Sequence, residues 1–201
     1  AMISLVLKAK FFALHIKNLT FFCSRQEVQM LKKGEVVVYG SRGLCMLKDI
    51  AIPPFLSAGK EKLYYQLSSA SDKSAVLYVP VDGGEDKMRD VISEEEAKEL
   101  MDHLEEMDSL SVSTGKKAEA EIAEVVKRND APEMLALVKG LYKLRIERTQ
   151  NGKKLASMNE RYLSLSEKLL YPELAFALKT EVDKVKKTVT GTLNRVLQEA
   201  S

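Results

Sequence analysis

The chain has 201 residues, with 31 Lys and Arg against 29 Asp and Glu, a formal net charge of +2, 45% hydrophobic residues and a mean hydropathy of -0.17. Those values are ordinary for a globular protein of one large or two small domains, and they argue against a disordered chain and against a protein that coats polyanions indiscriminately. The two cysteines, Cys23 and Cys45, and the two histidines, His15 and His103, lack metal-ligand spacing. Structural zinc, a disulfide framework and Cys-His catalysis therefore have no support, and unpaired thiols suit a reducing cytoplasm.

The first run, residues 2–22, is apolar and lightly basic, but Lys8, Lys10, Lys17 and Asn18 interrupt it. A membrane span needs about 20 consecutive apolar residues, and no small-x-small cleavage pattern follows. Gln26-Glu27-Val28-Gln29 can be encoded by a stretch containing a bacterial ribosome-binding sequence just upstream of the Met30 codon. Residues 1–29 are accordingly expected to be a non-native or leader extension, with Ala1 a vector remnant and Met30 the native start; a genuine extra strand or helix is the alternative. An intact mass from the native cell that includes residues 5–29 would refute the leader reading.

From Gly34 the pattern changes. Glu35-Val36-Val37-Val38-Tyr39-Gly40 leads into the turn Ser41-Arg42-Gly43, and further β-rich runs follow at 44–50, 62–67, 75–82 and 88–93. Spacings of roughly ten residues with Gly, Pro or Ser between the runs predict a small antiparallel barrel, better suited to presenting edges to a partner than to enclosing a substrate. Gly34, Gly40 and Gly43 are turn glycines, because no helix or Gly-Lys-Ser follows them. Asp82, Glu85 and Asp86 are too local to suggest acid-base catalysis.

Ser93-Glu94-Glu95-Glu96 reads as a capping box opening a helix of about 15 residues whose acidic side is a solvated connector. The Ser-rich break at 109–115 is the expected domain boundary. Four helices follow. One spans 116–128; one is capped by Asp130 and ends at Asn151-Gly152; one is capped by Ser157; and the last restarts at Tyr171-Pro172. Residues 30–92 carry nine basic and eight acidic groups, 94–108 eight acidic against Lys98, and 116–201 seventeen basic against twelve acidic. A phosphate-binding surface would therefore lie in the last segment.

Gly34-Glu35-Val36-Val37-Val38-Tyr39-Gly40, the Leu63-Tyr64-Tyr65-x-Leu67 strand, Tyr78-Val79-Pro80-Val81-Asp82 and Met88-Arg89-x-Val91-Ile92-Ser93-x-Glu95-Glu96 resemble, in that order, the CarD/CdnL family of bacterial transcription regulators. The first domain of that family is similar to the polymerase-interacting module of the transcription-repair coupling factor. The helical half resembles the same family through Asn129-Asp130, Val138-Lys139-x-Leu141-Tyr142, Gly152-Lys153-Lys154, Asn159-Glu160-Arg161-Tyr162 and the run from Glu167 to Ala175. The implied architecture is β then α: a Tudor-like barrel over 30–92, an acidic helix and linker over 93–115, and a compact all-helical domain over 116–201.

The resemblance implies that the barrel pairs with the RNA polymerase β subunit through a strand edge, at Ile50, Ala51, Ile52, Leu77, Tyr78 and Val79. Pro53 and Tyr78 stand where some relatives carry arginines, which makes this surface more apolar. The densest basic cluster is Lys143, Arg145, Arg148, Lys153 and Lys154. A solvated helix end explains any one of these cations equally well. Lys116, Lys117 and Arg161 join the cluster by resemblance, as side chains facing the promoter DNA backbone. Some relatives wedge a tryptophan into DNA at the start of this domain; this chain has no Trp, and Ser113, Thr114 and Gly115 stand there.

The expected function is that of a cytoplasmic transcription regulator that holds polymerase with its barrel and alters open-complex stability with its helical domain. No cofactor, membrane or small-molecule substrate is implied, and no catalytic constellation points to an enzyme. A protein-only adaptor that never touches DNA is the alternative.

Overall fold

The computed structural model describes residues 30–56, 62–70, 75–112 and 116–199, without the side chains of Glu85, Lys116, Gln198 and Glu199. The leader expectation for residues 1–29 and the Ser113-Thr114-Gly115 position lie outside the described residues. Residues 32–201 form one compact unit.

Five antiparallel strands come first: β1 (Val36–Tyr39), β2 (Gly43–Ala51), β3 (Tyr64–Ser69), β4 (Val76–Pro80) and β5 (Met88–Asp90). Their order in the sheet is β4-β3-β2-β1-β5. The β-rich runs of the sequence are all found: the first, fourth and fifth are shortened, the second gains a residue at each end, and the third is shifted two residues along the chain. Alternation assigns the faces: Tyr65, Leu67 and Ser69 of β3 are buried, while Tyr64, Gln66 and Ser68 between them are half-buried. Val37 pairs with Cys45 and Val38 with Leu44, and all four are buried. Both faces of the β1-β2 pair are therefore covered, which suits an unbroken run of three valines. A bulge at Lys48 shifts the β2-β3 register between Leu47 and Asp49, so β2 twists away and runs on past the end of β1.

The helices are α1 (Glu94–Asp102), α2 (Lys116–Arg128), α3 (Ala131–Gln150), α4 (Ser157–Ala177) and α5 (Val182–Glu199). Ser93 Oγ accepts from the Glu96 amide and Glu96 from the Ser93 amide, the expected capping box. Asp130 caps α3 through the Glu133 amide. The apolar stripes of all five helices meet in one core, with Ala97 and Leu100 of α1 buried among Ile122, Leu135, Leu141, Leu170 and Leu193. The acidic side of α1 is solvated as expected, but its other side belongs to the helical core.

Three sequence expectations are corrected. α1 stops after nine residues, because the buried Lys139 ammonium gathers the Leu104, Glu105 and Met107 carbonyls at 3.0, 2.8 and 2.8 Å and unwinds the next turn around itself. Ser157 does not cap α4; Ala156 holds that position with no side-chain bond. Pro172 lies inside α4 and does not restart a helix. Tyr171 and Glu173 on either side of it are both buried, and that packing outweighs the one backbone hydrogen bond a proline removes. The helix ends at Leu178, where Lys179 adopts φ 52° and Thr180 and Lys179 donate back to Ala175 and Phe176. The described part of the expected boundary at 109–115 lies against the helical core. The Leu110 amide donates to the Ala136 carbonyl at 3.0 Å, and Leu110 and Val112 pack on the core.

Gly140 makes that crossing possible. A Cβ on it would stand 2.1 Å from the Leu110 carbonyl oxygen. In the interior of a helix, Gly to Ala ordinarily stabilises by about 1 kcal/mol, whereas forcing atoms into a packed contact costs about 1–3 kcal/mol. The clash is with backbone, so it wins. Gly140→Ala is expected to lower stability by about 1–2 kcal/mol, read as a lower urea midpoint; a raised midpoint would refute the close crossing.

Candidate functional site

The sheet is fixed to the helices by a polar cluster built around Glu173 of α4, which is fully buried. Arg89, from β5, grips it with both ends of its guanidinium, Nη1 to Oε1 at 2.5 Å and Nη2 to Oε2 at 2.8 Å. The Ile92 amide adds a bond to Oε1 at 3.3 Å. Arg89 also donates through Nε and Nη2 to the carbonyl of Asn129, the residue between α2 and α3. Asn129 adopts φ 51°, a left-handed conformation that Asn tolerates, and its Nδ2 donates to the Gly40 carbonyl at 2.9 Å. Beside this cluster Gly43 faces α4, where a Cβ would come within 3.0 Å of Leu169 Cδ2. Bidentate geometry is what a buried carboxylate needs to offset its desolvation.

The expected polymerase-binding residues gather around β3, on two faces. Ile50 pairs with Tyr65 and Tyr65 with Val79, and Leu77 pairs with Leu67. These rows face inward: Tyr65, Leu67 and Val79 are buried, and Ile50 and Leu77 are half-buried. Val79 can offer a partner only backbone. The opposite face carries the rows Met46-Ser68-Val76, Asp49-Gln66-Tyr78 and Ala51-Tyr64-Pro80. Ala51 and Tyr78 are thus the outward members of the expected set, and Ile52, just beyond β2, is exposed. Pro53 is buried.

Sequence reasoning missed Phe55. It is 63% exposed and meets Tyr78 edge-on, with ring centroids 5.2 Å apart at 89°. It lies in the Pro53-Pro54 turn, outside any alternating run, so no periodicity marks it. With Ile52, Met46, Val76 and Tyr64 it gives the outer face an apolar, aromatic patch. That patch borders β4, the end of the strand order, whose outer edge has no strand partner among the described residues.

The expected DNA-contacting residues divide. Arg161 of α4 is bonded to Glu119 of α2 at 3.0 Å, which sets the first turns of the two helices side by side. Lys117 of α2 is exposed, 4.0 Å from Glu121. Arg148 lies in the last turn of α3, and the Lys153 amide folds back onto the Arg148 carbonyl at 2.8 Å, so Arg148, Lys153 and Lys154 share the helix-terminal end with Arg161 and the start of α2. Arg145 lies one turn before Arg148 with its guanidinium 4.0 Å from the Tyr142 ring centroid. Lys143 stands apart. It follows Lys139 by one turn on the face turned to the acidic segment, where it adds to the burial that pushes the Lys139 ammonium below its ordinary range, against Asp108 and Glu105. Arg145, Arg148, Lys153 and Lys154 make no ion pair among the described residues.

A small apolar-faced antiparallel sheet clamped to a helical module is the build of an interaction protein. Residues 31–92 match the CarD-like/TRCF RID domain. That segment is a CarD-like, Tudor-like domain of the RNA polymerase-interacting type, a non-enzymatic domain family. The match ends where the strands end; no curated protein matches the chain. No group of acidic, His and Cys side chains able to hold a metal is found among the described residues, and no described helix is long and apolar enough to cross a membrane.

The acidic segment has its own electrostatics. Glu94 accepts from Lys179 at 2.7 Å and from Lys98 at 2.6 Å, and these bonds, Lys179's first, hold its carboxyl at about 2 instead of the usual 4.5. A carboxyl with a lowered folded value stabilises above its unfolded value and loses that contribution as pH falls through the folded one. Glu94→Gln is therefore expected to lower the urea midpoint at pH 6 and to converge on the wild type as pH falls from about 4.5 to 2. A pH-independent gap would show that the bridge is idle.

Proposed function

We propose that this protein is a transcription regulator that binds the RNA polymerase β subunit through the outer face and β4 edge of its sheet. In the same reading, the α2-α4 end of its helical module lies on promoter DNA backbone and alters open-complex stability. The observation that carries the first half is the coincidence of an RNA polymerase-interacting domain type with an aromatic pair, exposed Phe55 on half-buried Tyr78, beside a strand edge that has no strand partner among the described residues. A strand edge supplies main-chain hydrogen bonds and a flanking apolar patch supplies anchors, the usual division in strand-addition complexes. The polymerase residues are then Ile52, Phe55 and Tyr78 by side chain, with Leu77 and Val79 by backbone.

For the second half, Arg148, Lys153, Lys154 and Arg161 sit at one end of the module with the positive ends of the α2 and α4 dipoles, an arrangement that favours phosphate. Four or five phosphate contacts give weak, salt-sensitive and sequence-tolerant binding. Holding polymerase offsets that weakness by raising the local DNA concentration. Contacts made only with opened promoter then shift the closed-to-open equilibrium, about tenfold for a differential of about 1.4 kcal/mol. A protein-only adaptor has one observation in its favour: Arg161 and Lys117 already have carboxylate neighbours in Glu119 and Glu121.

Two experiments separate these readings. Phe55→Ala with Tyr78→Ala is expected to weaken binding to the isolated β lobe at least about 30-fold, the loss of about 2 kcal/mol typical of a central aromatic anchor; unchanged affinity in a binding titration would remove this patch from the interface. Arg148→Gln, Lys153→Gln and Lys154→Gln together are expected to flatten the dependence of duplex-DNA affinity on log salt by about 2–3 units, since each lost phosphate contact removes about 0.9. A wild-type protein with no salt-dependent binding, alone or with polymerase, would favour the adaptor.

A further inference from the structure

The geometry points to Arg89 as a positioning residue: its grip on Glu173 and Asn129 locks the sheet and the helical module into one rigid body. The inference concerns regulation of the proposed activity and rests on that reading for its two ends, polymerase at the sheet and DNA at the helices. In this arrangement the protein acts as a brace of fixed span, and a flexible tether of equal length would not replace it.

Three observations converge. Glu173 has no exposure, and both its oxygens are bound by a side chain from the last strand. That same guanidinium holds the Asn129 carbonyl at the α2-α3 junction, while Asn129 Nδ2 reaches back to Gly40 in the β1-β2 turn. The contact therefore has three attachment points: β5 to α4, β5 to the α2-α3 junction, and that junction to the turn at Gly40. The first two share Arg89, so the bonds hold the sheet at two places, Arg89 and Gly40, and a third place of contact, Gly43 against α4, opposes rotation about the line joining them. Gly43 against Leu169 adds close packing with no room for a side chain. Rotating the modules apart would strand a buried carboxylate without its cation, so intermediate orientations are penalised as well as the fully open one.

The distinction matters physically. A tether raises the concentration of the second site in every direction its length allows. A brace delivers the basic end at one distance from the polymerase-held sheet, so it can favour one promoter geometry over another even where both expose the same phosphates.

The test uses the full chain carrying Cys23→Ser, with spin labels at Lys33→Cys and Glu160→Cys, both exposed. Cys45 is buried and its thiol is pushed up to about 11 by burial, so it stays unlabelled near neutral pH. Pulsed dipolar spectroscopy is expected to give one narrow distance for this protein and a distribution at least twice as wide with Arg89→Met. Arg89→Lys, which keeps the charge and loses the fork, should restore part of the narrowness. Glu173→Gln, similar in shape and uncharged, gives the reading if Arg89→Met does not fold. A second arm measures open-complex lifetime: the Arg89 variants should bind the β lobe and duplex DNA within twofold of wild type while losing at least tenfold of any lifetime effect. A broad wild-type distance, an Arg89→Met distribution as narrow as wild type, or an undiminished lifetime effect in a broadened variant each overturns the brace. If wild type neither binds nor alters lifetime, the proposed function fails instead, and the distance arm still decides the rigidity.

Discussion

Glu173 has been removed from water in the interior of α4, and the charge that answers it, Arg89, arrives from the last strand of the sheet. A buried carboxylate deprived of its cation costs about 3–5 kcal/mol, a large share of the stability of a small protein. Three local features of the fold serve to keep the two together. Pro172 must stay inside α4 so that Glu173 faces inward, Asn129 must turn left-handed so that its carbonyl meets the guanidinium, and Gly43 must lack a side chain so that β2 can lie against α4. Burying Glu173 beneath a half-buried arginine is an expensive way to join two modules. Its effect is orientation, because apolar patches slide while a forked, doubly bonded contact has one register.

The elements were legible in the sequence because each carries a local signal. Alternation marks β3, the Ser93-Glu96 box opens α1, and Asp130 with Pro132 opens α3. Two of the misreadings arise where a distant residue overrides a local rule. Pro172 reads as a helix start until Tyr171 and Glu173 are seen to be buried on either side of it. The tail of α1 reads as helix until Lys139, some thirty residues on, collects its carbonyls. Ser157 is a good capping residue one position too late.

The surfaces were less legible than the fold, for a related reason. A strand's residues can be assigned to two alternating sets from sequence, but which set faces out depends on register. The resemblance groups Ile50, Leu77 and Val79 with Tyr78, and register turns their side chains inward. Phe55 belongs to no alternating run and becomes visible only when its ring is found against Tyr78. Lys143 clusters with Arg145 in sequence, yet two residues on a helix are about 200° of rotation, which places them on nearly opposite sides. The Arg89-Glu173 contact spans 84 positions, and nothing local announces it.

The arrangement of charge shows why a net surplus of two can still make a directed surface. Two acidic groups of α1 and the turn after it, Glu94 and Glu105, meet Lys179 beyond the end of α4 and Arg195 of α5. Those cations are thereby neutralised where they stand. At the other end of α4, whose 21 residues span about 30 Å, Lys153, Lys154 and Arg148 have no such counter-charge among the described residues. That distance exceeds the roughly 8 Å over which salt screens charge at physiological strength, so the acidic end cannot cancel the field of the basic one. A phosphate backbone approaching the module meets a positive end set apart from a nearly neutral sheet, and the grip on Glu173 fixes where that end lies relative to whatever the sheet has bound.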